Sequence, residues 1–152
     1  MYTIRKKFKF EMAHMLGDSY SQECQNIHGH SYVLEVKVIS SNLNKDGMVI
    51  DFKRLKEIVM PVVDLFDHAL VLPEPLPHLV ANPIAHQKMI DAICANRGRI
   101  CLVEYNPTAE LMVKDIHSKI LPDIDGEVRS LVSLEVKLHE TDTGYASYSG
   151  WR

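Results

Sequence analysis

The sequence has 152 residues, 46% of them hydrophobic and 24% charged, with a formal net charge of −3. That is enough chain for one domain with a substantial core, and the charge gives no electrostatic reason to expect nucleic acid or an anionic membrane as a partner. No apolar run approaches the roughly 18–20 residues that span a bilayer, and the basic, alternating start "MYTIRKKFKFEMAH" lacks the apolar region of a signal peptide. Three cysteines argue against a disulfide framework and for a reducing, cytoplasmic setting.

In chain order, "KKFKFEMAH" alternates and predicts a strand with Phe8, Phe10, Met12 and His14 on one side. "SYVLEVKVIS" repeats the pattern with Tyr32, Leu34, Val36 and Val38, and a turn at Asp46-Gly47 follows. Phe52, Leu55, Ile58, Val59, Val62 and Val63 recur at helical spacing, with Pro61 expected to kink or end that helix. "PEPLPHLVANP" reads as loop. Asn82-Pro83 then offers an N-cap and a first helical residue, for a helix to about Asn96 with Gly98 as its stop. "RICLVEY" reads as a short buried strand or extended segment. Asn106-Pro107 repeats the start signal, and Ala109, Met112, Val113, Ile116 and Ile120 make an apolar stripe. "SLVSLEVKLHE" alternates through Val132, Leu134, Val136 and Leu138, and "GYASYSGW" predicts a last strand. Strand pairs at both ends with helices between them predict an α+β domain on a four-stranded antiparallel sheet. Its two open edges call for pairing with other copies, hence an oligomer.

The chemistry concentrates in "CQNIHGHSY". His28 and His30 are two apart, so on a strand they project to one side, roughly 7 Å apart at Cα, with Gly29 leaving space between them. His14, ending the first strand's apolar face, is the candidate third ligand; three histidines with an open fourth position is a catalytic zinc arrangement. A lone H-x-H is common, and a histidine ending an apolar stripe is often a core residue. Cys24 has two readings, a fourth ligand or a reactive thiol beside the metal. Cys94 and Cys101 lie in apolar periodic segments and read as buried small hydrophobes. Asp67-His68 has the composition of an acid–base dyad, although adjacent residues need not touch. Glu140, closing the apolar face of its strand, has the chemistry to accept from the amidine-like edge of a guanine or pterin ring, or is an ordinary exposed glutamate. His78, His86, His117 and His139 read as loop or surface residues.

Six segments in order, "FKFEMAHML", "CQNIHGHSY", "GMVIDFKRLK", "LFDHALVL", "NPTAELMVKDI" and "KLHETDTGYASY", resemble the 6-pyruvoyl- and 6-carboxytetrahydropterin synthase family. The resemblance implies a T-fold across residues 1–152, a single domain with an extended segment at about 73–105. Three subunits would close a barrel, and two trimers would stack as a homohexamer with sites at subunit interfaces. It implies zinc on His14, His28 and His30, and Cys24 as a thiol that moves a proton on the substrate. It also implies Asp67 and His68 as an assisting dyad reaching the site from a neighbouring subunit. Glu140 would anchor the pterin's 2-amino and N3 edge, with Thr108 and Glu110 near the ring pocket.

The implied substrate is 7,8-dihydroneopterin triphosphate. The cysteine stands in C-x3-H-G-H spacing, which resembles the 6-carboxytetrahydropterin branch. That branch releases acetaldehyde and triphosphate on the way to 7-deazaguanine compounds such as queuosine. The pyruvoyl branch, which keeps the side chain whole, is the alternative within the family. A non-catalytic zinc T-fold module that binds a pterin or purine is the alternative outside enzymes.

Overall fold

The computed structural model describes residues 1–17 and 21–150. Its elements are β1 (Tyr2–His14), α1 (Gln22–Gln25), β2 (His28–Ser40), α2 (Phe52–Phe66), β3 (Ala69–Pro73), α3 (Pro83–Ala95), β4 (Ile100–Val103), α4 (Ala109–Glu127), β5 (Leu131–His139) and β6 (Tyr145–Gly150). Together they make an α+β domain on one mixed sheet.

The alternating segments form the strands expected of them. β1 buries Phe8, Phe10, Met12 and His14 while Lys7, Lys9 and Glu11 face outward. β2 buries Tyr32, Leu34, Val36 and Val38, and β5 buries Leu134, Val136 and Leu138. β1–β2, β2–β5 and β5–β6 are antiparallel. α2 and α4 cover the apolar face, and Leu55, Val59, Val63, Met112, Ile116, Ile120 and Ile124 complete the core with exposures of 0–2%. At roughly 1.5–3 kcal/mol per buried large aliphatic side chain, this layer is the dominant stabilising contribution.

The expectation of a four-stranded antiparallel sheet is corrected. The sheet has six strands in the order β4-β3-β1-β2-β5-β6. β3 runs parallel to β1, pairing Met12–His14 with Ala69–Val71, and β4 runs parallel to β3. Residues 73–105 therefore contribute a helix and a strand. Free edges remain at β4, at β6 and along β1 before Met12, among the described residues.

Several smaller expectations also change. α2 continues through Pro61, which lies on the exposed side with Glu57, so the carbonyl deprived of a helical partner faces water. Phe52 is half exposed beneath the Lys6 ammonium instead of joining the core. α3 starts at Pro83 with Asn82 capping Ala85 N–H as expected, but the left-handed residue that ends it is Arg97 (φ 62°), one before Gly98. The N-cap of α4 is Thr108, not Asn106, whose side chain is occupied elsewhere. His86 and His117 are buried, bonded to the carbonyls of Pro73 (2.8 Å) and Leu134 (3.2 Å). Cys94 is exposed and Cys101 half-buried, so neither is fully buried.

Candidate functional site

Strand register assembles the histidines. In the β1–β2 ladder His14 pairs with His28 and Met12 with His30, so all three imidazoles stand on the apolar face at one end of the sheet. Directly opposed residues hold their Cβ atoms about 4.5–5.5 Å apart, and the diagonal neighbour lies within reach of a ring. The ring centroids are 4.5 Å apart for His14–His28, 5.4 Å for His14–His30 and 5.1 Å for His28–His30. One nitrogen from each lies within 4.8 Å of the other two. Gly29 points to the other face, where a Cβ would come 3.2 Å from the Met12 carbonyl oxygen. The glycine is thus explained by close strand approach, and not by room left for an ion.

Backbone carbonyls fix the tautomers. His14 Nδ1 is 2.9 Å from the Pro107 oxygen and His28 Nδ1 is 2.8 Å from the Asn26 oxygen. A carbonyl only accepts, so each Nδ1 carries the proton and each Nε2 turns its lone pair inward. Those two Nε2 atoms lie 3.0 Å apart. They can stay so only with positive charge between them, a shared proton or a metal ion. Burial pushes the His14 pKa below its usual 6.5, with the charge of neighbouring His28 acting the same way. A metal ion is therefore the better solution at His14, since it needs the neutral ring.

Glu140 faces the same cluster. Its Oε1 is 3.6 Å from His14 Nε2 and 3.8 Å from His30 Nε2. The Tyr32 hydroxyl donates to that oxygen at 3.2 Å, while its ring lies edge-on to both His14 and His30. Tyr32 is 1% exposed, and burial together with the Glu140 carboxylate pushes its pKa up, so it stays a donor. Three imidazoles with a carboxylate alongside form a donor set that fits a divalent ion such as zinc.

The other candidates are placed as follows. Cys24 lies on the single turn α1, half-buried, with its carbonyl accepting from Leu16 N–H at 2.9 Å. Among the described residues no hydrogen bond joins it to the histidines. Asp67 and His68 do touch: His68 Nδ1 is 2.9 Å from Asp67 Oδ1, which also accepts from Glu11 N–H at 3.0 Å. That backbone donor is the main cause holding the Asp67 carboxyl below its usual range. His68 adopts a left-handed backbone (φ 53°), its N–H donates to the Glu11 carbonyl, and its side chain is 75% exposed. The pair is pinned to the edge of β1, and His68 borders an open cleft of about 580 Å³ with Gly29, His30, Ser31 and Arg99. The structure therefore forms the dyad, and among the described residues no hydrogen bond joins it to the histidine cluster. Thr108 caps α4 through Leu111 N–H (3.4 Å), and Glu110 is an exposed first-turn residue.

Sequence reasoning missed Tyr32, Asn26 and Pro107 as site residues. Tyr32 was visible only as a core aromatic two positions after His30. The other two act through backbone oxygens, which carry no residue-type signal.

The fold and the cluster define an α+β protein with a three-histidine candidate metal centre at one end of its sheet. The chain belongs to the 6-pyruvoyl tetrahydropterin synthase family, whose model it matches over residues 3–150. It is 34% identical to a 6-carboxy-5,6,7,8-tetrahydropterin synthase of Haemophilus influenzae, covering 97% of this chain and 99% of that one. It is 29% identical to the protein of the same name from Aquifex aeolicus, covering 97% of each. Among solved structures, 6-pyruvoyl tetrahydropterin synthase of Plasmodium falciparum superposes with a TM-score of 0.70 at 20% identity, covering 99% of each chain. The Caenorhabditis elegans enzyme gives 0.61 at 21% identity, covering 98% of this chain and 95% of that one. Those structures share the fold. No helix among the described residues is long and apolar enough to cross a membrane.

Proposed function

We propose that the chain is a zinc-dependent lyase that converts 7,8-dihydroneopterin triphosphate and one water to 6-carboxy-5,6,7,8-tetrahydropterin, acetaldehyde and triphosphate. The observation that carries this reading is the convergence of His14, His28 and His30 with two Nε2 lone pairs held face to face. The full-length similarity to proteins named for that reaction supports the choice of branch.

His14, His28 and His30 would hold the zinc, which when bound supplies Lewis-acid polarisation of a substrate side-chain hydroxyl. Pro107 and Asn26 keep the ligand rings in the tautomer that binding requires. Glu140 is the anchor for the pterin's 2-amino and N3 edge, with its carboxylate oriented by the Tyr32 hydroxyl. Cys24 takes the proton from the side-chain carbon. The Asp67–His68 pair, exposed on its own chain, serves the site of a neighbouring copy, where His68 returns or relays a proton while Asp67 holds its tautomer. The free edges at β6 and along β1 before Met12 suit closure of three copies into a barrel and stacking of two such trimers. Thr108, the N-cap of α4, and Glu110, in its first turn, would border the ring pocket.

The test is zinc content by elemental analysis together with mass spectrometry of the products from 7,8-dihydroneopterin triphosphate. We expect one zinc per chain and stoichiometric acetaldehyde. An intact three-carbon side chain would assign the pyruvoyl reaction instead, and bound zinc without turnover would favour a binding module.

A further inference from the structure

We infer that Asn106 is a positioning residue that fixes the loop bearing Cys24 relative to the histidine cluster, with the segment of residues 73–105 as its backstop. The inference rests on the reading of Cys24 as the proton-moving thiol.

One tripeptide touches both halves of the site. The Pro107 carbonyl accepts from His14 Nδ1–H, and the adjacent Asn106 Oδ1 accepts from Gly17 N–H at 2.9 Å. Gly17 follows Leu16, whose N–H donates to the Cys24 carbonyl at 2.9 Å. Two successive hydrogen bonds thus lead from Asn106 to the backbone of Cys24. The Asn106 carbonyl also accepts from Thr108 N–H at 2.7 Å, and Thr108 caps α4. The tripeptide is therefore braced against the longest helix of the fold. This accounts for Asn106 not being the cap of α4: its amide oxygen is already used.

The loop cannot retreat from this contact. A Cβ at Gly17 would lie 2.0 Å from the Leu79 carbonyl oxygen, so the backbone between β3 and α3 presses directly on it. Leu79 is held in turn by its N–H to the Leu76 carbonyl at 2.9 Å. A cleft of about 330 Å³ separates this loop from the start of α3, bordered by Gln25 on one side and Asn82 and His86 on the other. The segment of residues 73–105 thus reaches the candidate site through backbone contact at Gly17. Displacing a reacting group by about 1 Å costs on the order of 100-fold in rate, so a pin of this kind acts on turnover without touching substrate.

The experiment compares Asn106→Ala, Asn106→Asp and Gly17→Ala with the parent chain. The first readout is the rate of Cys24 alkylation by iodoacetamide, resolved by peptide mass spectrometry, with the exposed Cys94 as internal reference. Asn106→Ala should raise the Cys24:Cys94 ratio several-fold and lower kcat about 10- to 100-fold, with KM and zinc content little changed. Asn106→Asp keeps an acceptor for Gly17 N–H and should restore most of both. Gly17→Ala gives the same loop displacement by steric means and serves if Asn106→Ala does not fold. An unchanged alkylation ratio in Asn106→Ala, or in Gly17→Ala where that variant stands in, overturns the inference. A raised ratio with unchanged kcat leaves the pin in place and removes Cys24 from the chemistry, which Cys24→Ala with full turnover would show independently.

Discussion

Among individual residues, Tyr32 links the histidine cluster to Glu140. Its ring belongs to the core, stacked on Phe10 with centroids 5.2 Å apart and planes 12° apart. Its hydroxyl reaches out of that core to Glu140, and its edge limits how far the His14 and His30 rings can turn. A hydrogen bond to a charged acceptor contributes roughly 1.5–3 kcal/mol. Tyr32→Phe keeps the ring and removes only the donor. With Glu140 as the pterin anchor, the variant should keep its zinc and bind a pterin about tenfold more weakly, the lower end of that range. Isothermal titration with neopterin and elemental analysis check both halves. Pterin affinity equal to the parent's would separate Tyr32 from substrate binding. Loss of zinc would make it a support of the metal ligands instead.

At the scale of elements, the antiparallel part of the sheet was legible because its strands have one wet face and one dry face. Alternation therefore marks β1, β2 and β5 along with the residues they bury. β3 and β4 carry no such mark. "ALVLP" and "ICLV" are short apolar runs without alternation, and their parallel pairing to β1 and β3 depends on partners distant in sequence. The buried histidines were legible in part. His117 is four residues after Val113 and three before Ile120, so the stripe of α4 already contained it, although histidine reads as polar. The start of α4 was misplaced because Asn106 and Thr108 are both good caps, and only the fold shows Asn106 engaged with Gly17. This ambiguity bears on Thr108, which carries two assignments, a residue near the ring pocket and a helix cap. The Leu111 N–H bond is long at 3.4 Å, so Thr108→Ala should cost at the lower end of cap losses, about 0.5–1 kcal/mol. Thr108→Ser, which keeps the oxygen, should recover it. If the cap is the whole role, urea midpoints change and pterin affinity does not. A tenfold affinity loss in both variants would restore Thr108 to the substrate pocket.

For the whole molecule, two buried histidines on different elements make the metal-free protein sensitive to mild acid. Burial is the first cause pushing both His14 and His117 below the usual 6.5. Above about pH 6.5 neither folded nor unfolded chain protonates these rings, so they contribute no pH dependence. As pH falls below that value, the unfolded chain takes up protons that the folded one still refuses, and stability drops until the folded groups also titrate. Asp67 acts in a separate, more acidic window: its lowered pKa contributes stability that is present above the usual 3.8 and lost as pH falls through the folded value. Chelator-treated protein should therefore lose urea resistance as pH falls below 6.5. His117→Gln, able to keep a donor to the Leu134 carbonyl, should flatten that slope without altering zinc uptake. Zinc-loaded protein should lose stability more steeply as pH falls, because imidazole binds a metal ion only as the neutral ring, so acid releases the ion. Protein concentration must be held constant across the series, since any self-association of the chain makes the midpoint concentration-dependent. Parallel slopes for parent and His117→Gln would leave His14 and its histidine cluster as the source of the acid lability.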